Sequence, residues 1–437
     1  MFVSEALSVN ENGHLSIGGC DCVELANRYG TPLYVMDEDL IRKNCRTYTG
    51  AMEKFYGGNG KILYASKAFS TMSMCKIVAQ EGMGLDVVSA GELYTALASD
   101  FPRDMIYFHG NNKSDSELDF AIDSDIYCIV VDNIFELRNI NEKAAARKKI
   151  VNIAFRIKPG IDAHTHDFVQ TGQIDSKFGV ALENGEALEA VRVATEMKNV
   201  ELIGVHCHIG SQIFDLAPFQ SAAEIMLGFV AEITTKFGVH IKELNLGGGY
   251  GIKYLPSHDP IEYDKYIESV RETVVSTCAK HGLEIPTLVM EPGRSIVASA
   301  GITLYTIGGV KEIKDVRTYV SVDGGMADNP RYALYQSEYD AVIANRPDAD
   351  KDKLITIAGK CCESGDLLAK DIMMPDVEVG EILAMLATGA YNYSMSSNYN
   401  RIPKPPVVLV KDGKARLIVK REDFEDVVRN DLVPDDL

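Results

Sequence analysis

The chain has 437 residues, of which 46% are hydrophobic and 24% charged, so it is too long for one ordinary core and suits two domains. A net charge of −19 argues against a nucleic-acid partner, because phosphate-backbone binding needs a basic footprint, but it leaves room for a small phosphorylated ligand in a locally positive pocket. No stretch approaches the roughly 18 consecutive apolar residues of a membrane span, and the start MFVSEALSVNENG lacks the basic and apolar regions of a signal peptide.

The first 37 residues are rich in strand and turn signals. From there, short β-rich apolar runs alternate with helix-like stretches. The runs cover residues 62–65, 85–89, 105–109, 127–132, 152–158, 202–208, 243–247 and 287–291. Segments between them, such as 70–82 and 91–99, space their apolar residues as helices do. Eight such units over roughly 250 residues predict a TIM barrel, although a doubly wound open sheet would alternate in the same way. Beyond about residue 300 the runs 302–307, 317–322, 353–358 and 381–385 are strand-like with little helix between them. Runs 406–410 and 414–419 flank Asp412-Gly413, a hairpin signal. The expected architecture is an α/β TIM barrel over 38–290 plus an all-β domain built from 291–437 and joined by 1–37. The nine cysteines, odd in number and scattered, read as free thiols of a reducing cytoplasm. Cys20 and Cys22 have no second pair at zinc spacing.

A barrel should carry its functional groups at the C-terminal ends of its strands. Lys67 follows the first run by two residues, in Tyr64-Ala65-Ser66-Lys67-Ala68-Phe69. A lone lysine is usually a solvated charge, but one desolvated among apolar residues has a lowered pKa and can form a Schiff base with an aldehyde. His109 ends the third run and His208 the sixth, in His206-Cys207-His208-Ile209-Gly210-Ser211. His206 and His208, two apart on a strand, would share a face. With no third ligand at sensible spacing, a surface that stacks on an aromatic ring is favoured over a metal pair. Gly247-Gly248-Gly249 would leave backbone amides uncovered for a phosphate, to which Ser211 and Arg294 add a hydroxyl and a charge. Such a turn is more often merely structural. Glu291, before Pro292-Gly293-Arg294, is either a solvated carboxylate or the partner of a pyridine nitrogen. Past the barrel, 323–331 reads as a tight loop presenting Arg331. Residues 360–366 set Cys361 and Cys362 beside Glu363 and Asp366, and Tyr391 follows a glycine turn.

The ordered set YASKAF, HCHIGSQ, GGGYG, EPGR, NPRYALY, CCESGD and GAY resembles the fold-type III pyridoxal-phosphate-dependent decarboxylases. The resemblance runs from about Thr31 to about Arg401, and its specificity lies in the order, not in any one motif. It implies an alanine-racemase-like barrel with a C-terminal β-domain, and pyridoxal 5'-phosphate held by Lys67 as a Schiff base. His208 would stack on the ring. Ser211, Gly248, Gly249, Gly293 and Arg294 would hold the cofactor, with Glu291 on the ring nitrogen and Tyr391 touching cofactor and substrate. Arg294, Arg331 and Tyr335 would bind substrate. Cys362, as proton donor, and Glu363, on a distal amino group, would come from the partner subunit of a homodimer. The stretch from His164-Thr165-His166-Asp167 through Ser176-Lys177-Phe178-Gly179 also resembles the family's substrate-recognition loop.

The reaction implied is decarboxylation of meso-2,6-diaminopimelate to L-lysine and CO2, a cytoplasmic step of amino-acid biosynthesis needing no nucleic acid or membrane. The CCESGD and NPRYALY runs favour that substrate over ornithine, lysine, arginine or carboxynorspermidine. A racemase on this barrel would place an arginine where Glu291 stands. A non-catalytic cofactor-binding protein would have no need of Lys67 or Cys362. Two departures stand out: Cys361 precedes the expected thiol, which opens the choice of donor, and Phe69 stands where many relatives have asparagine.

Overall fold

The computed structural model describes residues 2–161 and 175–437. The chain divides into two compact units, one of 43–251 and 259–295, the other of 1–42, 252–258 and 296–437.

The first unit settles the choice between barrel and open sheet. Its eight strands are Gly60–Ala65, Gly84–Val87, Ile106–Phe108, Cys128–Val131, Val151–Lys158, Val200–His206, Glu243–Asn245 and Thr287–Met290. Each pairs in parallel with the next, and Thr287–Met290 pairs back onto Gly60–Ala65, so the sheet closes. Helices such as Met72–Gln80, Ala90–Ala98, Asp115–Asp123 and Ile134–Ala146 return the chain between strands. The sequence marks these starts: Thr71, Ser89, Ser114 and Asn133 each accept a backbone N–H at the helix N-terminus, a cap that contributes about 1 kcal/mol. Leu63, Tyr107, Cys128, Val130, Ala154, Ile203 and Val289 form one buried cluster drawn from six strands, so the barrel is packed rather than hollow. At the start of the strands Glu243 accepts from Lys61 (2.6 Å), Tyr107 (2.9 Å) and Tyr127 (2.8 Å). That network satisfies a buried charge at the end where barrels place stability rather than chemistry.

In the second unit Leu33–Asp37 lies between two strands, antiparallel to Gly301–Ile313 and parallel to Val407–Lys411. The amino-terminal strand Leu33–Asp37 is therefore an interior strand of the β-rich unit's sheet. Arg317–Val322, Lys353–Ala358 and Leu367–Met374 extend the sheet, and Val407–Lys411 forms a hairpin with Lys414–Val419. Leu367–Met374 and Ala341–Ile343 carry no clear alternation and were not anticipated.

Candidate active site

Lys67 sits in a single 3-10 turn, Ser66–Ala68, directly after the first barrel strand. Glu92, from the second strand's helix, fixes that turn: its Oε2 accepts from the Ser66 hydroxyl at 2.7 Å and from the Val88 N–H at 2.8 Å. The apolar, desolvated setting expected for Lys67 is not what the fold provides. The side chain is exposed, and its charge acts on Asp86, Glu92 and His208. The flanking apolar residues Ala65, Ala68 and Phe69 are themselves buried, and a strand-end turn sends them and the lysine different ways.

Glu291 follows the last barrel strand and is the centre of the site. It is buried, and Asn245 Nδ2 donates to its Oε1 at 2.7 Å. His109 Nε2 lies 2.9 Å from Oε1 and His206 Nε2 3.2 Å from Oε2. Burial alone would raise the Glu291 carboxyl, but the two imidazoles outweigh it and hold it well below its ordinary value. Asp86, 3.8 Å from His109, is instead pushed up to about 6 by burial. Burial pushes the His206 imidazole down to about 4, so it is neutral near pH 7. Two sequence expectations need correction here. His206 ends its strand but His208 lies beyond it, so the two do not share a strand face. His206 also does find further polar partners, since its donor atom lies within 4.8 Å of those of His109 and Glu291.

His208 packs on the glycine turn instead. Its Nδ1 accepts from the Gly248 N–H at 3.4 Å, and burial and the nearby Lys67 charge hold the ring neutral. The turn's amides are less open than the sequence suggests: Gly247 donates to Asn245 Oδ1 at 2.9 Å as well. The glycines have a second reason to be there. A Cβ on Gly248 would lie 2.1 Å from the Glu291 carbonyl oxygen, and Gly249 has φ +114°. Gly248→Ala is thus expected to cost about 2 kcal/mol, the scale of overpacking, read as a lower urea midpoint. Ser211 and Arg294, expected on one phosphate, are brought together: the guanidinium donates to the hydroxyl at 3.0 Å. Gly293 lies against Ala65 beside the Lys67 turn.

In the second unit Arg331 opens the helix Arg331–Tyr335 and is buried, its guanidinium 4.9 Å from the Tyr335 ring centre and 5.3 Å from that of Tyr391. Tyr391 adopts φ +63°, unusual for a side chain of its size. Asp366 ties two loops together, accepting from the Met326 N–H at 2.6 Å and the Cys361 N–H at 2.7 Å. Cys361 is buried, and burial pushes its thiol up to about 11. Cys362 and Glu363 are exposed. Of the recognition stretch, 164–174 lies outside the described residues. Gly179 donates to Asp132 Oδ1 at 2.8 Å, and Arg156 lies 4.2 Å from the Phe178 ring centre.

Sequence reasoning passed over Asp86, Glu92, Arg156 and Asn245. Three of them had a signal: Asp86, Arg156 and Asn245 are polar residues with an apolar residue on each side within strand runs.

A barrel end with a primary amine, a neutral imidazole, a hydroxyl–guanidinium pair and an ionised carboxylate fits a phosphorylated aromatic aldehyde with a basic ring nitrogen. Such an end defines the class as barrels that hold pyridoxal phosphate. The family described as "Pyridoxal-dependent decarboxylase, pyridoxal binding domain" matches residues 38–298. The diaminopimelate decarboxylase of Bacillus subtilis is 49% identical over 432 residues, 99% of this chain and 98% of that one. The solved diaminopimelate decarboxylase of M. jannaschii superposes with a TM-score of 0.92 at 36% identity, covering 100% of both chains. That of Helicobacter pylori, complexed with L-lysine, gives 0.85 at 32% identity over 93% of this chain and 98% of its own. The chain belongs to the pyridoxal-dependent decarboxylases and, within them, to the diaminopimelate decarboxylases.

Proposed function

We propose that this chain decarboxylates meso-2,6-diaminopimelate to L-lysine and CO2 with pyridoxal 5'-phosphate bound in the barrel. The observation that carries the reading is the gathering, at the C-terminal ends of the strands, of the Lys67 turn, Glu291 and the Ser211–Arg294 pair. Bound pyridoxal phosphate supplies an electron sink for the pair released as CO2 leaves. Lys67 provides the amine to which the cofactor's aldehyde attaches. His208 offers a flat, uncharged face for its ring. Ser211 and Arg294 hold the phosphate, helped by the loops of Gly248, Gly249 and Gly293, and Glu291 keeps the ring nitrogen protonated. Arg294, Arg331, Tyr335 and Tyr391 bind and orient substrate, so that the carboxylate to be lost is held in one geometry. Glu363 takes the distal ammonium.

Cys362 Sγ is the proton donor for the carbon that loses its carboxylate. Its exposure supports this over buried Cys361, and the exposed run of Cys362 and Glu363 supports a homodimer in which this loop serves the partner's site. Cys362→Ala is expected to lower kcat by about 10^2-fold or more, the scale of a positioned proton donor, whereas Cys361→Ala should affect the urea midpoint more than kcat. The free state of all nine cysteines supports a reducing cytoplasm.

The test is a substrate panel read by CO2 release and L-lysine formation, with and without added pyridoxal phosphate. Preference for meso-diaminopimelate is expected. Preference for ornithine, lysine, arginine or carboxynorspermidine overturns the substrate assignment.

A further inference from the structure

Glu291 is surrounded by more donors than a cofactor-facing carboxylate requires. Asn245 reaches Oε1 at 2.7 Å while its own oxygen accepts from the Gly247 N–H at 2.9 Å, which fixes the orientation of the amide. His109 and His206 stand on the two oxygens at 2.9 and 3.2 Å, and their rings meet at 4.8 Å and 74°. All four side chains are buried. They come from the ends of the third, sixth, seventh and eighth strands, so the cluster spans the barrel. Neither histidine has a task in the function proposed above.

We propose that His109 and His206 are positioning residues that hold Glu291 ionised and oriented toward the cofactor's ring nitrogen. The inference rests on the proposed cofactor site. Its physical basis is that a buried carboxyl left to itself takes up a proton, and a neutral acid could not stabilise a protonated ring nitrogen. An ionised carboxylate only accepts hydrogen bonds, so both imidazoles must present Nε2–H to it. The two contacts are close but oblique: among the described residues neither Nε2 has an aligned hydrogen-bond partner. The histidines therefore act through their dipoles and leave room on the carboxylate's rim. Among the described residues Asn245 is the aligned side-chain donor on Glu291, so acceptor positions remain on the carboxylate for the ring N–H. The charged groups facing the cluster are Asp86 on the second strand, Lys67 after the first and Arg156 on the fifth, with neutral His208 beyond the sixth.

Two measurements test this. In the cofactor-free protein, nitrogen NMR should show His206 as a neutral Nε2–H tautomer between about pH 5.5 and 8. An Nδ1–H tautomer or an imidazolium there overturns the proposal. In the loaded enzyme, His206→Phe keeps the ring and removes the dipole. It should weaken pyridoxal-phosphate affinity and kcat by about 10-fold, the low end of the range for a polar group acting on a charge. KM should change little, the visible absorbance band of the bound cofactor should shift, and His206→Gln should restore most of the loss. Unchanged affinity, band and kcat in His206→Phe overturn the proposal. A transition metal that copurifies with wild type and is lost in the variant also does, because it would make the cluster a metal site. Failure of the underlying reading looks different: wild type would then bind no pyridoxal phosphate, while the NMR result would stand.

Discussion

Replacing Lys67 with alanine is expected to remove the visible absorbance band of bound cofactor and to lower turnover by at least about 10^3-fold. The figure takes the middle of the range for one positioned proton-transfer group as a floor, because loss of the attachment point adds to it. The geometry makes the effect specific. Lys67 is carried on a turn that Glu92 holds through Ser66 and the Val88 amide, so the side chain is presented without taking part in the barrel's packing. Loss of the lysine should leave the thermal midpoint close to wild type. Lys67→Arg gives a sharper contrast. It keeps the positive charge acting on Asp86 and His208 but has no amine that can condense with an aldehyde. It should be as inactive as alanine. Substantial activity in the arginine variant would mean that the charge, not the amine, is what the site uses.

The second large effect is expected for Glu291→Gln, a loss of about 10^2- to 10^3-fold in kcat, the scale of removing one preorganised electrostatic group. Glutamine preserves shape, so Gly247 and Gly248 keep their close approach, but the negative charge is gone and the amide would meet the Nε2–H of one of His109 and His206 with a donor of its own. The same variant should alter the acid limb of stability. Because the Glu291 carboxyl titrates below its ordinary value in the folded protein, its ion contributes to stability above the unfolded-chain pKa of about 4.3. That contribution fades as pH falls through the folded value. Glutamine lacks it, so the difference in urea midpoint between the two proteins should narrow on acidification.

Much of this was legible in the chain because barrel strands are buried on both faces and stand out as short apolar runs. All eight were located, and the polar residues just past their ends, Lys67, His109, Ser211, Glu291 and Arg294, did fall at one end of a closed sheet. What the sequence hid was partnership. Nothing local indicates that Glu291 would meet His109, a contact spanning 182 positions, or that His206 rather than His208 would join them. Periodicity placed both histidines on one strand, but the strand ends at His206 and the chain turns. The Lys67 environment was misjudged for a related reason: its apolar neighbours in sequence are buried while its own side chain is exposed. Glycines were read as exposing amides, whereas Gly248 is needed at least as much to let two strand-end loops approach. In the β-rich unit, 323–331 was read as a loop presenting an arginine, and Arg331 instead begins a short helix with its guanidinium between two tyrosine rings.

The most direct measurement of the central claim is peptide mapping by mass spectrometry after borohydride reduction of the protein loaded with pyridoxal phosphate. Reduction makes the attachment permanent, so the modified lysine can be identified outright. The account predicts one modified site per chain, Lys67, in the peptide containing Tyr64-Ala65-Ser66-Lys67. Stoichiometric modification of another lysine, such as the buried Lys113 or the Glu243-paired Lys61, or none at all, would contradict it.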